Sequence, residues 1–295
     1  MGRVPSFARV AAGLVLLAVV VGLTTSPQAL LRTMAGLDLR FAGAAVALLP
    51  VGLALQWWKW RVLLRASAPE VSGADALRSL LAGFGLGLIT PGRLGELGRG
   101  LVLPGRRMAA TQLALADRTT SAGVTLLAGA LSAFLIPGIG GGWILGGLAS
   151  VLAIGAAGWY LLRRRRRQWL EVLGAVPAHA WAANSCGSAV FNLVFFGQFH
   201  LLLLAAGPLP ASVFWSVPAV FALKTLLPIS FLDLGVREFA AVSVLGAAGV
   251  QPAVALQAAL LLCAVNLVAP GVAGLIVLGQ GRWSTFSVLG PAHAR

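Results

Sequence analysis

Read for polarity alone, the chain is a series of long apolar stretches separated by short polar punctuation. Unbroken stretches fall at about 7–24, 41–63, 110–136, 142–162, 181–206 and 253–279. Each approaches the ~20 residues a helix needs to cross the hydrocarbon of a bilayer. Two more, at 76–103 and 212–248, are interrupted, the first at Ile89-Thr90-Pro91-Gly92 and the second at Leu227-Pro228-Ile229-Ser230. A proline inside a helix removes a hydrogen bond and clashes with the preceding turn. Thr90 before Pro91 offers an N-cap followed by proline at the first helical position. Ser230 with Asp233 three residues on resembles a capping box, with aspartate in place of glutamate. Each interrupted stretch therefore predicts one half-helix ending and a second beginning. Such backbone is tolerated at membrane depth where it is buried in protein or lines a cavity.

The predicted fold class is an all-α polytopic membrane protein, one membrane domain over 1–295. It has about six transmembrane helices plus two re-entrant helical hairpins. Composition closes off the soluble alternative: 59% of residues are hydrophobic and 10% charged, against about 25% charged in soluble domains. Arg3 and Arg9 ahead of an apolar stretch resemble a signal peptide, but no small-x-small cleavage site follows, so a retained, peripheral first helix is expected over 7–24.

Net charge is +14. In a membrane protein this reflects basic loops facing the anionic cytoplasmic leaflet. Basic stretches interleaved with exposed aromatics are missing, so nucleic acid is not an expected partner. With the N-terminus inside, alternating spans and hairpins that return to the side they entered, all but four of the 22 basic residues fall inside. The exceptions are Arg32, Arg40, Lys224 and Arg237, and the run Arg163 to Arg167 is the firmest anchor. The predicted location is the inner cell membrane, multi-pass, with both termini cytoplasmic.

This topology gives 41–136, with hairpin 76–103 open to the inside, and 181–279, with hairpin 212–248 open to the outside. The stretch 142–162 connects them. The two halves are one motif in opposite orientations, an inverted repeat. A sequence echo accompanies it: Pro91 then Gly95-Glu96, against Pro228 then Gly235 and Glu238. Paired broken segments in two halves point to a transporter's binding site.

Ionisable residues are expensive within a bilayer, about 2.5–3.5 kcal/mol each at its centre on insertion scales. Arg93, Glu96 and Arg99 are spaced to share one helix face, and Gly92, Gly95 and Gly98 form a neighbouring strip open to close approach. Lys224, Asp233, Arg237 and Glu238 surround the second break, and Asp117-Arg118 adds an acid–base pair near the start of a span. The functional reading is a polar cavity where the hairpins meet. Half-helix N-termini at Pro91 and Ser230 present free N–H groups to a phosphate, and Arg93 and Arg237 add guanidinium donors. Glu96 and Glu238 balance those arginines, bind a cationic headgroup or carry a proton. The plainer reading is internal ion pairs that fix helix register, or interfacial side chains that snorkel.

Other features read more simply. Trp57, Trp58 and Trp60 beside Lys59, Arg61 and Arg65 predict an interfacial aromatic belt. Gly83, Gly85 and Gly87 mimic part of a dinucleotide fingerprint without the strand–helix unit it needs. Gly142 and Gly146 are spaced for close helix packing. Cys186 and Cys263 read as small core hydrophobes. Histidines at 179, 200 and 293 carry no metal-ligand spacing, and neither a nucleophile elbow nor a P-loop occurs. The chain is therefore not expected to be an enzyme, and no cofactor or metal is expected.

The segment Leu88-Ile-Thr-Pro-Gly-Arg-Leu-Gly-Glu-Leu-Gly-Arg99, with Asp117-Arg118, Leu227-Pro-Ile-Ser230 and Gly235-Val-Arg-Glu238, resembles the flippase-like transmembrane region of lysylphosphatidylglycerol synthases. That family also occurs as stand-alone membrane proteins, and the likeness runs from about 10 to 280. Its specific parts are Pro-Gly-Arg-x-Gly-Glu and the later Gly-x-Arg-Glu. Two departures stand out: Asp117-Arg118 where Glu-Arg is usual, and Asp233 where a small residue is expected. The resemblance implies movement of a lipid headgroup between leaflets. Aminoacyl transfer belongs to a separate soluble domain of the fused synthases and is not carried over. Membrane lipids, anionic or isoprenoid-linked, are the implied substrates. A second copy of the chain or a lipid-synthesis enzyme is the expected protein partner. The rival functions are a membrane-embedded lipid-modifying enzyme using Glu96 or Asp117 as base, and a non-transporting subunit of one.

Overall fold

The computed structural model describes residues 15, 18–90, 93–103, 107–134, 167–226 and 234–280. Among the described residues every regular element is helical. Residues 18–24 are helical, followed by α1 (Pro27–Ala35), α2 (Leu39–Ala47), α3 (Leu49–Ser67) and α4 (Gly73–Leu88). A 3₁₀ helix, Leu94–Gly100, precedes α5 (Arg107–Ala133). The later elements are α6 (Arg167–Gly174), α7 (Ala178–Leu204), α8 (Ser212–Leu226), α9 (Val236–Ala247), α10 (Pro252–Cys263) and α11 (Ala269–Gly279).

Among the described residues, three helical runs are long and apolar enough to cross a membrane: Leu39–Ser67, Ala178–Leu204 and Pro252–Gly279. They coincide with the spans expected at 41–63, 181–206 and 253–279. α5 has the length for a fourth, at 27 residues, but carries Asp117 and Arg118 in its body and falls outside that apolar set. The span expected at 142–162, Gly142, Gly146, Arg163 to Arg166 and most of the 7–24 helix lie outside the described residues.

Proline sets the irregularities within the spans. Pro50 follows the turn at Leu48 that divides α2 from α3, because its nitrogen cannot donate to the preceding turn. Pro270 likewise cannot serve the Asn266 carbonyl, and a π-helical segment, Ala264–Val268, joins α10 to α11 there.

Close contacts fix the relative directions of the helices. Ser121 of α5 faces Ser188 of α7 at 3.3 Å, and Thr125 faces Asn192 at 2.9 Å, both pairs 67 residues apart. A constant offset means that α5 and α7 run parallel. α3 is antiparallel to α7, since Gly52 meets Phe191 while Lys59 and Trp58 meet Gly187. α4 is antiparallel to α11: Gly271 lies on Leu88, and Gly274 on Leu81 and Gly85. At that crossing a Cβ on Gly85 would sit 2.7 Å from the Gly274 carbonyl carbon. Only two facing glycines permit it, the close-approach device of membrane helices. The glycines at 83, 85 and 87 thus serve packing.

Two apolar cores result among the described residues. One gathers Trp60, Leu63, Leu80, Phe84 and Leu113 from α3, α4 and α5. The other gathers Phe199, Leu203, Val217, Phe221 and Leu245 from α7, α8 and α9. Cys263 is buried as expected, but Cys186 is exposed on α7, because its helix turns that face outward.

Gly274→Leu is expected to destabilise the protein by about 1–3 kcal/mol, the usual range for overpacking. Thermal denaturation of purified protein in detergent measures it, and an unchanged midpoint would contradict the crossing described.

Candidate functional site

The first break begins where α4 ends at Leu88. Thr90 Oγ1 donates to the Leu86 carbonyl (2.9 Å) and accepts from Gly95 N–H (2.6 Å). The second arm starts at Leu94, with Arg93 in the N-cap position, so the half-helix expected to start at Pro91 begins later and is a short 3₁₀ helix. Its glycines explain this. A Cβ on Gly95 would overlap the Leu86 carbonyl, one on Gly98 would meet the Leu86 side chain, and one on Gly100 would overlap the Ala110–Thr111 backbone. The tight helix is wedged between α4 and α5, and its Gly95 and Glu96 N–H groups are taken up by Thr90 Oγ1 and the Arg93 carbonyl. Arg93 adopts φ 58°, a left-handed conformation costly for a non-glycine residue and common at functional sites. Pro91 and Gly92 lie outside the described residues.

Arg93, Glu96 and Arg99, expected on one face, divide between two partners. The Glu96 carboxylate is shared: Oε1 pairs with Arg93 and Oε2 accepts from Arg118 of α5. It is 4% exposed and backed by Gly87, where a Cβ would sit 2.8 Å from Glu96 Cγ. Arg99 turns instead to Asp117, Nη2 to Oδ2 at 2.6 Å, and its guanidinium lies 4.0 Å from the ring centre of Trp60. Asp117 Oδ1 receives a second cation, Lys59 Nζ, at 3.2 Å, and that ammonium donates to Ser121 Oγ at 2.8 Å.

The interfacial belt expected around Lys59 is therefore corrected. Lys59 is 2% exposed and Trp60 is fully buried, its indole N–H donating to Ser79 Oγ at 2.8 Å. Trp58 remains exposed, and Trp57 donates to the Gly73 carbonyl while stacking under Arg61. The charge of Asp117 draws Lys59 inward. Sequence reasoning missed Lys59 although it sits inside an apolar span, where a charge needs a partner. It also missed a ladder of small polar residues: Asp117, Ser121 and Thr125 on α5 against Asn184, Ser188 and Asn192 on α7. Their i, i+4, i+8 spacing was legible.

At the second break, α9 starts at Val236 after Gly235, which has φ 83°. The start of α9 is capped by Gly235 N–H donating to Glu238 Oε2 at 2.6 Å. Glu238 Oε1 receives the Arg237 guanidinium at 2.8 and 3.1 Å, and Glu238 is fully buried. Pro228, Ser230 and Asp233 lie outside the described residues.

Residues flanking both breaks line a cavity of about 570 Å³. Arg93 and Arg118 line it from the first half, and Arg237 and Lys224 from the second. Asn192 and Asn266 add amides, the latter from the π-helical segment and donating to Gln198 Oε1 at 2.8 Å. Phe191, Phe195 and Phe221 line the cavity too, Phe195 packing edge-on to Phe221 at 4.7 Å. Of the expected site residues, Arg93, Arg118 and Arg237 line the cavity, Glu96 and Glu238 pair with them, and Arg99 and Asp117 form a separate pair. An amphipathic wall of guanidiniums, amides and rings can hold an anion at one place and an apolar chain at another.

The family profile for the lysylphosphatidylglycerol synthase TM region matches residues 10–274. A search of curated proteins finds no match.

Asp117→Asn is expected to destabilise the protein by about 3–5 kcal/mol, because it strands two buried cations. Adding Lys59→Met should recover part of that loss. Thermal denaturation of both variants checks this, and a double variant weaker than the single would refute the ion-pair account.

Proposed function

The chain belongs to the lysylphosphatidylglycerol synthase transmembrane family, and from that premise we propose that it is a lipid transporter, a flippase or scramblase. It moves an anionic, phosphate-containing headgroup between leaflets through the cavity where the two interrupted segments meet. The observation that carries this reading is the convergence of Arg93, Arg118 and Arg237 on one cavity inside a membrane protein. A phosphate in hydrocarbon loses its hydration, and guanidinium forks with hydroxyl and amide neighbours replace it. The phenyl rings of the wall suit the apolar part of the same ligand. Arg93 and Arg237 engage the headgroup, while Glu96 and Glu238 hold the arginines in place from behind the wall.

The architecture we propose is six spans with two re-entrant hairpins in inverted repeat, in the inner membrane with both termini cytoplasmic. The helix directions support it. α5 and α7 run parallel while α3 and α7 run antiparallel, as that topology requires.

We prefer transport to catalysis because the two carboxylates an embedded enzyme would use as bases are committed to cations. Glu96 holds Arg93 and Arg118, and Asp117 holds Arg99 and Lys59. The chain is proposed to act without cofactor, with lipids as its ligands and a second copy or a lipid-synthesis enzyme as its protein partner.

In proteoliposomes, wild type is expected to translocate labelled anionic lipid, with Arg93→Ala and Glu96→Gln at least ten-fold slower while remaining folded. A folded wild type that moves no anionic, zwitterionic or isoprenoid-phosphate lipid, even under a proton gradient, would refute transport. Single cysteines at 137–142 and 163–171 are expected to label from opposite sides of the membrane; labelling from one side would overturn the topology.

A further inference from the structure

Lys59 is a buried cation to which the transport reading assigns no task. It sits in the body of the span Leu39–Ser67 and is 2% exposed. Its Nζ lies 3.2 Å from Asp117 Oδ1 and donates to Ser121 Oγ at 2.8 Å. The ammonium is not in the cavity wall, but Ser121 is. One hydroxyl therefore separates Lys59 from the cavity. The direction of the hydrogen bonds beyond it is fixed. Ser188 Oγ gives its single proton to the Asn184 carbonyl at 2.8 Å, so in the 3.3 Å contact between the two serines it is Ser121 that donates. Ser121 thus accepts from Lys59 and donates onward, which is the arrangement of a proton relay. One turn along α7, Asn184 is fully buried and neither of its amide atoms has a hydrogen-bond partner among the described residues, a polar place suited to a water.

Lys59 is also the member of this cluster that can change charge without stranding a partner. Arginine stays protonated in proteins, and an uncharged Asp117 would leave Lys59 and Arg99 buried and unpaired. When Lys59 gives up a proton instead, Asp117 keeps Arg99, Nη2 to Oδ2 at 2.6 Å. Lysine, unlike arginine, serves as a proton-exchanging group when buried. The charged groups around it are Asp117 and Arg118 on α5 and Arg99 on the 3₁₀ helix. From α7 it meets Gly187, and Ser188 beyond Ser121 is neutral. We propose that Lys59 is the proton-exchanging residue of the protein, releasing and recovering one proton through Ser121 as the cavity empties and fills. This rests on the transport reading and adds a proton to the cycle of the lipid. On release, a Lys59 N–H bond breaks as Ser121 Oγ takes the proton, and the Ser121 hydroxyl passes its own to a cavity water. The amine that remains accepts from Ser121 where the ammonium donated. An anion in the cavity favours the charged form, so anion and proton reinforce each other's binding. Affinity for the anion accordingly falls as pH rises through the range in which Lys59 discharges.

Calorimetric titration of the full chain in nanodiscs of zwitterionic lipid reads the proton directly, by comparing buffers of different ionisation enthalpy at one pH. The probe is dihexanoyl phosphatidylglycerol, whose phosphodiester does not titrate near neutrality. Wild type is expected to take up a proton on binding at the pH where its affinity is falling. Lys59→Gln mimics the discharged side chain and Lys59→Arg stays charged. Both are expected to abolish the uptake and to flatten the pH dependence of binding at least five-fold, while the folded protein still binds. A merely structural lysine would change stability or affinity and leave the proton count alone. Ser121→Ala, which keeps Lys59 and removes the relay, is expected to slow proton-gradient-driven translocation in proteoliposomes at least five-fold. That variant carries the test should neither Lys59 variant fold, and an unchanged gradient response would then overturn the proposal. Absence of uptake by folded wild type overturns it as well. So does uptake that survives both Lys59 variants, or that is lost only with Lys224→Gln or Glu96→Gln. Should lipid be translocated with no proton taken up, the proton falls and transport stands. Should binding take up a proton that the Lys59 variants lose while nothing is translocated, the transport reading falls and Lys59 keeps its role.

Discussion

The structure turns on a carboxylate that cannot be left alone. Asp117 sits in the body of a long helix, almost without exposure, and two cations from two other segments close on it: Lys59 from α3 and Arg99 from the 3₁₀ helix. A buried charge that loses its partner is heavily destabilising, so this triad ties three elements into one geometry. The neighbouring residue, Arg118, then reaches Glu96 on the same 3₁₀ helix. Two adjacent side chains of α5 therefore hold both ends of the broken segment's acid–base face, and the cavity wall inherits its shape from that hold.

Glycine makes the hold sterically feasible. Along α4 it works on two faces at once: Gly83 and Gly87 admit Arg99 and Glu96, and Gly85 admits the backbone of α11. A larger residue at any of these would push charge and helix apart together. The same economy appears on α5, where Gly129 lies against Ala222 and the Pro218 carbonyl of α8. The packing of these small residues and the charge network are one constraint seen from two sides.

The helical class and three of the spans were legible from apolar length, because that is a local property of the chain. The elements that came out differently depend on partners far away in sequence. Arg99 was grouped with Arg93 and Glu96 by spacing, yet it follows Asp117. Lys59 and Trp60 were assigned to the bilayer interface by composition, yet Asp117 and Ser79 draw them inside. Thr90 was expected to cap the helix at Pro91, yet it caps Gly95 because the glycine strip lets the second arm begin later and wind tighter. The ladder of Ser121, Thr125, Ser188 and Asn192 had a readable spacing but no single residue that stands out, so only the pairing of two helices gives it meaning.

The left-handed backbone at Arg93 restricts which sequences can occupy that position. Glycine and asparagine reach such a conformation readily, while valine, isoleucine and threonine do not. Evolutionary drift at this position therefore has two separate filters, one on the guanidinium and one on the torsion angle. Relatives that abandon the charge should retreat to glycine or asparagine, and a β-branched replacement should appear only beside insertions or deletions that redraw the turn.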